Sequence, residues 1–229
     1  MRDFSDDLFY PETDVETGCD ACVTAGTIIT TKHGHVAAED LVPGMKVLTK
    51  DNGFAPVRAV RRLVFHDDLL SAHPELRPVV VPSGALGNDQ KLCVSPGQKF
   101  LMADVHADLM FGSFEVLVAA RHMIGHAKID TDLETPSVNY VSVVLDSHQV
   151  MLCNGFWAET LYLEEHRQIV EPWTNGWTCG PGISADIIHH TRSARLVLKA
   201  HETALLSTGW GQLPKELLVY TEDMFHEAA

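Results

Sequence analysis

The chain has 229 residues, 45% of them hydrophobic, enough to bury a substantial core in one large or two small domains. Its 31 acidic against 17 basic residues give a formal charge of −14, which repels phosphate backbones and anionic lipid and argues against nucleic acid or membrane as partners. No stretch reaches a membrane-spanning length of apolar residues, and the first residues, MRDFSDDLFYPETDVETG, lack the basic start, apolar run and small-residue cleavage site of a secretory signal. A cytoplasmic protein is expected, with leaderless export as the alternative route. Five cysteines, an odd and dispersed set, do not form the even, dense framework of a small disulfide-stabilised domain.

Residues 1–21 are acidic, poor in aliphatic side chains and interrupted by Pro11 and Gly18, the composition of a flexible leader. From Cys22 onward, short β-rich runs alternate with turn signals: GTIITT, MKVLT, VRAVRRLVF, RPVVVP, KLCVSP, KFLMA, EVLVAARHMIG, NYVSVVLDS, HQVMLCNG and FWAETLYL. Asn52-Gly53 and Asn154-Gly155 are hairpin signals, and AAEDLVPG reads as a helix-like turn. The reading is a mainly β domain over residues 22–163. Beyond a connector rich in Trp, Gly and Pro, the segment ISADIIHHTRSARLVLKAHETALLST has helical propensity without Gly or Pro, so residues 164–229 are expected to form an extension containing helix.

Chemistry concentrates at "GCDACVTAGTIITT", residues 18–31, where Cys19 and Cys22 stand three apart. A zinc half-site needs a second pair of similar spacing, which Cys93, Cys153 and Cys179 do not supply. A redox C-x-x-C opens a helix, whereas Cys22 leads into β-rich sequence. A Cys19–Cys22 disulfide that reversibly caps Cys22 stays open, as does a small buried hydrophobe. The third chemistry is a nucleophile aimed at its own backbone.

The order of several pieces gives that third reading its context: CVTAGTIITT, EDLVPGMKVLT, VSPGQKFLM, EVLVAARHMI, LDSHQVMLCNGFWAET and ARLVLKAHETALL. Together they resemble the Hint family, the fold shared by hedgehog autoprocessing domains and inteins, and within it the bacterial Hedgehog/Intein branch. The resemblance implies a horseshoe of short strands in which Cys22 attacks the carbonyl of Ala21 and turns an amide into a thioester. That chemistry asks for a thiolate, donors for the oxyanion, an acid for the departing nitrogen, and strain at the scissile peptide, such as distortion or a cis bond.

The chain also departs from the family pattern. Where the family places Thr or Ser, two residues and then His, this sequence reads Ser95, Pro96, Gly97, Gln98. Glutamine can orient a group but cannot exchange a proton at neutral pH, which predicts a slowing of roughly a hundredfold to ten-thousandfold. After Asn154-Gly155 come Phe156, Trp157, Ala158, Glu159 and Thr160, with no asparagine placed to cyclise as in splicing. Val141 stands where the intein pattern has an aspartate, with Asp146 nearby.

Ser95 reads as a hydroxyl that bonds backbone near the scissile peptide. His148 matches the family's C-terminal histidine, and a structural histidine beside Asp146 is the competing account. His122 is the first candidate to replace the absent acid. The sets His66-Asp67-Asp68 with His73, Asp104-x-His106-x-Asp108, and His122-x-x-x-His126 read as solvated groups rather than a metal site. Tail positions Ile187, Ile188, Leu196, Leu198, Leu205 and Leu206 read as core packing, and His189 and His190 receive no role.

The expected activity is single-turnover autoprocessing at Ala21–Cys22 without splicing. The chain's own N-terminal segment is the substrate and water or a small nucleophile the acceptor, with no cofactor or metal implied. The alternative is an inactive Hint-fold binding or structural module.

Overall fold

A computed structural model describes residues 20–163, 176–180 and 190–206. Cys19, Ile187, Ile188 and His189 lie outside these. Runs rich in Val, Ile, Thr and aromatic residues form the strands, as their preference for a pleated, half-buried surface dictates. In chain order the first half contains β1 (Val23–Thr24), β2 (Ile28–Thr31), β3 (Gly34–Ala37), β4 (Lys46–Thr49), β5 (Gly53–Pro56), β6 (Ala59–His66), α1 (Asp67–Ala72), β7 (Val79–Val81) and β8 (Leu92–Val94). The second half contains β9 (Lys99–Ala103), α2 (Val105–Phe111), β10 (Glu115–Ala119), β11 (Asp130–Thr131), β12 (Ser137–Val144), β13 (Val150–Cys153), β14 (Phe156–Glu159), β15 (Trp177–Cys179), β16 (Leu196–Val197) and α3 (Ala200–Leu206). The fold is mainly β, and no described helix is long and apolar enough to cross a membrane.

Among the described residues the strands form two sheets. One has the order β11-β7-β8-β1-β12-β6-β15; the other runs β16-β10-β9-β14-β13-β2-β4-β5, with β3 paired to β2. Both contribute to one core, in which Val23, Val94 and Val141 meet Ile29, Phe100, Val116, Met151 and Phe156. Phe100 and Phe156 make an edge-to-face contact with ring centroids 5.6 Å apart.

The β13–β14 hairpin closes at Asn154-Gly155, both with positive φ (45° and 77°), the geometry that a two-residue loop of this twist requires. Asn154 also braces its surroundings, accepting from Ile28 N at Oδ1 (2.7 Å) and donating to Lys91 O (2.9 Å). At the other signal only Gly53 takes positive φ, and Lys50, Asp51 and Asn52 form the loop between paired Thr49 and Gly53.

The tail differs from a continuous helix. Leu196–Val197 adds a parallel strand to β10, and among the described tail residues helix is confined to Ala200–Leu206. Leu198 and Leu206 are buried, whereas Leu196 and Leu205 are exposed, so only part of the expected apolar set packs. Two short helices, α1 and α2, stand where the reading assigned no element. The second begins at Asp104, whose carboxylate accepts from His106 N (2.7 Å), and ends at Gly112 with φ 66°.

Candidate active site around Cys22

The strand register builds the site. β1 is interior to its sheet, with Val23 opposite both Val94 of β8 and Val141 of β12 in antiparallel pairing. One step back along β1 and one step forward along each neighbour brings Ser95 and Ser142 to the two sides of Cys22. Cys22 N donates to Ser95 Oγ (3.1 Å), and Ser95 N donates to Cys22 O (2.9 Å). On the other side Cys22 Sγ lies 3.0 Å from Ser142 Oγ. Cys22 is 1% exposed, packed with Phe65, Leu70, Leu76, Val138 and Tyr140.

Ser142 is the neighbour that sequence reasoning missed. Its signal was present: a single serine in the otherwise apolar VSVVL run, one residue past the Val141 at which the family pattern has an aspartate. Asp146 does not serve in its place, because it is exposed and gripped by Arg58 through two hydrogen bonds of 2.7 and 2.8 Å.

The turn Ser95-Pro96-Gly97-Gln98 closes with Gln98 N donating to Ser95 O (3.0 Å) and is fixed from outside by Ala120 N to Gln98 O (2.8 Å) and Arg121 N to Pro96 O (3.0 Å). Gly97 permits the backbone of the Cys22 segment to approach: a Cβ there would stand 2.7 Å from Asp20 O and 3.0 Å from Asp20 Cα. The buried Gln98 side chain donates from Nε2 to Lys99 O (3.1 Å) and Glu159 O (3.0 Å). It acts as a brace between β9 and β14. The Ala21–Cys22 peptide bond is trans.

Beside Ala21 lies a pocket of about 210 Å³ lined by Asp20, Ala21, Gly97, Lys99, Arg121, Glu159, Leu161 and Tyr162. Glu159, at the end of β14, accepts from Lys99 N (3.1 Å) and Lys99 Nζ (2.8 Å) at Oε1. Its Oε2 lies 3.2 Å from His148 Nε2, misaligned for a hydrogen bond, so neither atom has a hydrogen-bond partner. His148 Nδ1 accepts from Ala194 N (3.0 Å), which assigns a neutral ring with its proton on Nε2, facing Glu159. The carboxylate partner of His148 is therefore Glu159 and not Asp146.

His190, given no role by the sequence, is buried beside this cluster. Its ring stacks on His148 at 6.3 Å, with Nε2 3.0 Å from Leu145 O and Nδ1 accepting from Leu163 N (3.2 Å).

His122 sits in a short turn, Ala120–Met123, outside the pocket lining. Burial, then the Arg121 and Lys99 charges, hold its pKa below the ordinary imidazole value. The neutral ring is thereby favoured at neutral pH. Burial raises the thiols of Cys93, Cys153 and Cys179, the last to about 11, so these are protonated, weak nucleophiles at neutral pH.

His66 is the residue before α1, His73 pairs with Glu75 (3.0 Å), and His106 with Asp104 (2.9 Å). Among the described residues no group of three or more His, Cys, Asp or Glu is arranged to hold a metal.

The comparisons with known proteins fall on this same stretch of chain. A family model described as "Hint domain" matches residues 21–165. No curated protein matches the chain. Among solved structures, a GSH-linked, splice-inactive variant of the AceL NrdHF class 3 split intein is similar at 13% identity, over 60% of this chain and 95% of that one, with a TM-score of 0.36. That likeness is distant, and the assignment rests on the family match. Because the match runs through both sheets and begins beside the cysteine that their register brackets with two serines, the chain belongs to the Hint domain family.

Proposed function

We propose that this protein processes itself at Ala21–Cys22 by an N–S acyl shift followed by cleavage, without splicing. The observation that carries the reading is the bracketing of Cys22 by Ser95 and Ser142, with a pocket opening on the acyl residue Ala21. Cys22 Sγ attacks the Ala21 carbonyl carbon; the C–N bond breaks, the acyl group passes to sulfur, and the proton that the thiol gives up ends on the Cys22 nitrogen, which leaves as a free amine. Ser142 holds the thiol, and Ser95 holds the amide nitrogen that must gain a proton. A serine hydroxyl is a poor acid, and Gln98 is occupied by two carbonyls, so the shift is slow. Lys99 and Arg121 line the pocket together with Ala21, Asp20 and Glu159, and are its cationic side chains for a developing oxyanion.

The second reading, an inert Hint-fold module, is favoured by the Gln98 brace itself, which puts a structural amide where the family pattern has a titratable ring. Hydroxylamine separates the two. At neutral pH, below the alkaline conditions in which it also opens Asn-Gly bonds such as Asn52-Gly53 and Asn154-Gly155, it cleaves a thioester and leaves amides intact, so incubation of the full chain should release residues 1–21 bearing a C-terminal hydroxamate, and Cys22→Ala should not release that fragment. Equal, absent cleavage in both proteins overturns the autoprocessing reading.

A further inference from the structure

The pocket beside Ala21 contains a carboxylate that the acyl shift does not use. Glu159 is 1% exposed, yet it lines that pocket together with Ala21. Its two oxygens differ. Oε1 is saturated by the backbone and side-chain nitrogens of Lys99, whereas Oε2 accepts no hydrogen bond. An unpaired buried carboxylate oxygen is costly, and both neighbouring elements hold it in place. Lys99 fixes the carboxylate from β9, and the Nε2–H of His148, 3.2 Å away, adds a favourable dipole without filling the lone pairs. The tautomer is fixed by Ala194 N on the far side of the ring, so the Nε2–H edge of His148 is the one that faces Glu159. A buried carboxylate oxygen without a hydrogen-bond partner, on a residue that lines the same pocket as the acyl residue Ala21, fits a general base toward an incoming nucleophile.

Building on the autoprocessing reading above, we infer that Glu159 is the catalytic base of its second half, activating a water in the Ala21 pocket to hydrolyse the Cys22 thioester. The pocket, about 210 Å³, has room for several waters or a small nucleophile and none for a protein acceptor. In the step, Glu159 Oε2 takes one proton from water while the water oxygen bonds to the Ala21 carbonyl carbon. The carbon–sulfur bond then breaks, and the proton returns from Glu159 to the departing Cys22 sulfur. The products are an Ala21 carboxylic acid, which loses its remaining proton to solvent, and a chain beginning at Cys22 with a free amine and thiol.

The test compares two acceptors on the full chain. Water needs a base; hydroxylamine, already a strong nucleophile at neutral pH, does not. Glu159→Gln is expected to slow cleavage in water by about a hundredfold or more, the usual scale of a general base, while cleavage in hydroxylamine stays within about threefold of the parent. Glu159→Asp, which keeps the charge opposite Lys99, is judged by the same split, so a folding defect in one variant does not decide the matter. Water cleavage that is unchanged, or a loss of both rates in equal measure in both variants, overturns the role of Glu159 and leaves the acyl shift standing. A parent chain with no hydroxylamine-sensitive bond overturns both.

Discussion

At the level of single residues, the two serines around Cys22 have separable roles. Ser95→Ala leaves the buried Cys22 N–H without its acceptor, which costs about 1–3 kcal/mol; urea unfolding should show the lower midpoint, and hydroxylamine-dependent cleavage should slow with it. Ser142→Ala removes a contact to sulfur alone, so it should lower stability by about 1 kcal/mol at most yet slow cleavage as much or more. Gln98→His exchanges a brace for a titratable ring. Cleavage should rise, and stability should fall by about 1 kcal/mol, because a ring N–H cannot serve both carbonyls that the amide now holds. Unchanged cleavage in Gln98→His means that the acid is not the limiting defect.

Among these residues, Cys22, Ser95, Gln98 and His148 were legible in the sequence because each falls in a motif with an order and a spacing. Ser142 and Glu159 were not singled out. A serine inside a strand and a glutamate at a strand end have no local signature, and only the pairing of β1 with β12 and of β9 with β14 gives them neighbours.

At the level of elements, the turn between β8 and β9 decides how closely the Asp20–Ala21 backbone can approach. Gly97→Ala drives a Cβ into Asp20 O and Cα, and backbone cannot yield as a side-chain tip does. The expected result is a large loss of cleavage with a small change in the melting temperature, since the clash falls on Asp20, ahead of the first strand. A clean loss of folding instead would place the strain in the core. The strands themselves were readable from composition and alternation, and the Asn154-Gly155 hairpin from its turn chemistry. Helix α2 was overlooked although its Asp104 cap and Gly112 stop stand in the sequence, because seven residues give too few turns for a period to emerge. In the tail the opposite error has a tertiary cause: helical propensity over residues 196–197 yields to a free strand edge on β10.

At the level of the whole molecule, the described tail segments belong to the two sheets and do not hang from them. β15 pairs with β6, β16 pairs with β10, and Ala194 reaches back to His148. Leu198, 2% exposed, joins the common core, so Leu198→Ala should cost about 2–5 kcal/mol in urea unfolding. Leu196→Ala, at an exposed position, should cost less than about 1 kcal/mol. Equal effects would contradict this packing. The consequence for function is that the tail supports the site through His148, a dependence that no motif in the tail announced.

The central claim is that Cys22 attacks the bond before it, and intact mass of freshly purified full-length protein tests it most directly. Measured over time with and without hydroxylamine, and beside Cys22→Ala, the parent chain should lose the mass of residues 1–21 while the variant keeps its full mass. Full-length mass in both, after long incubation with hydroxylamine, would contradict the account and leave the Hint fold of this chain as an inert module.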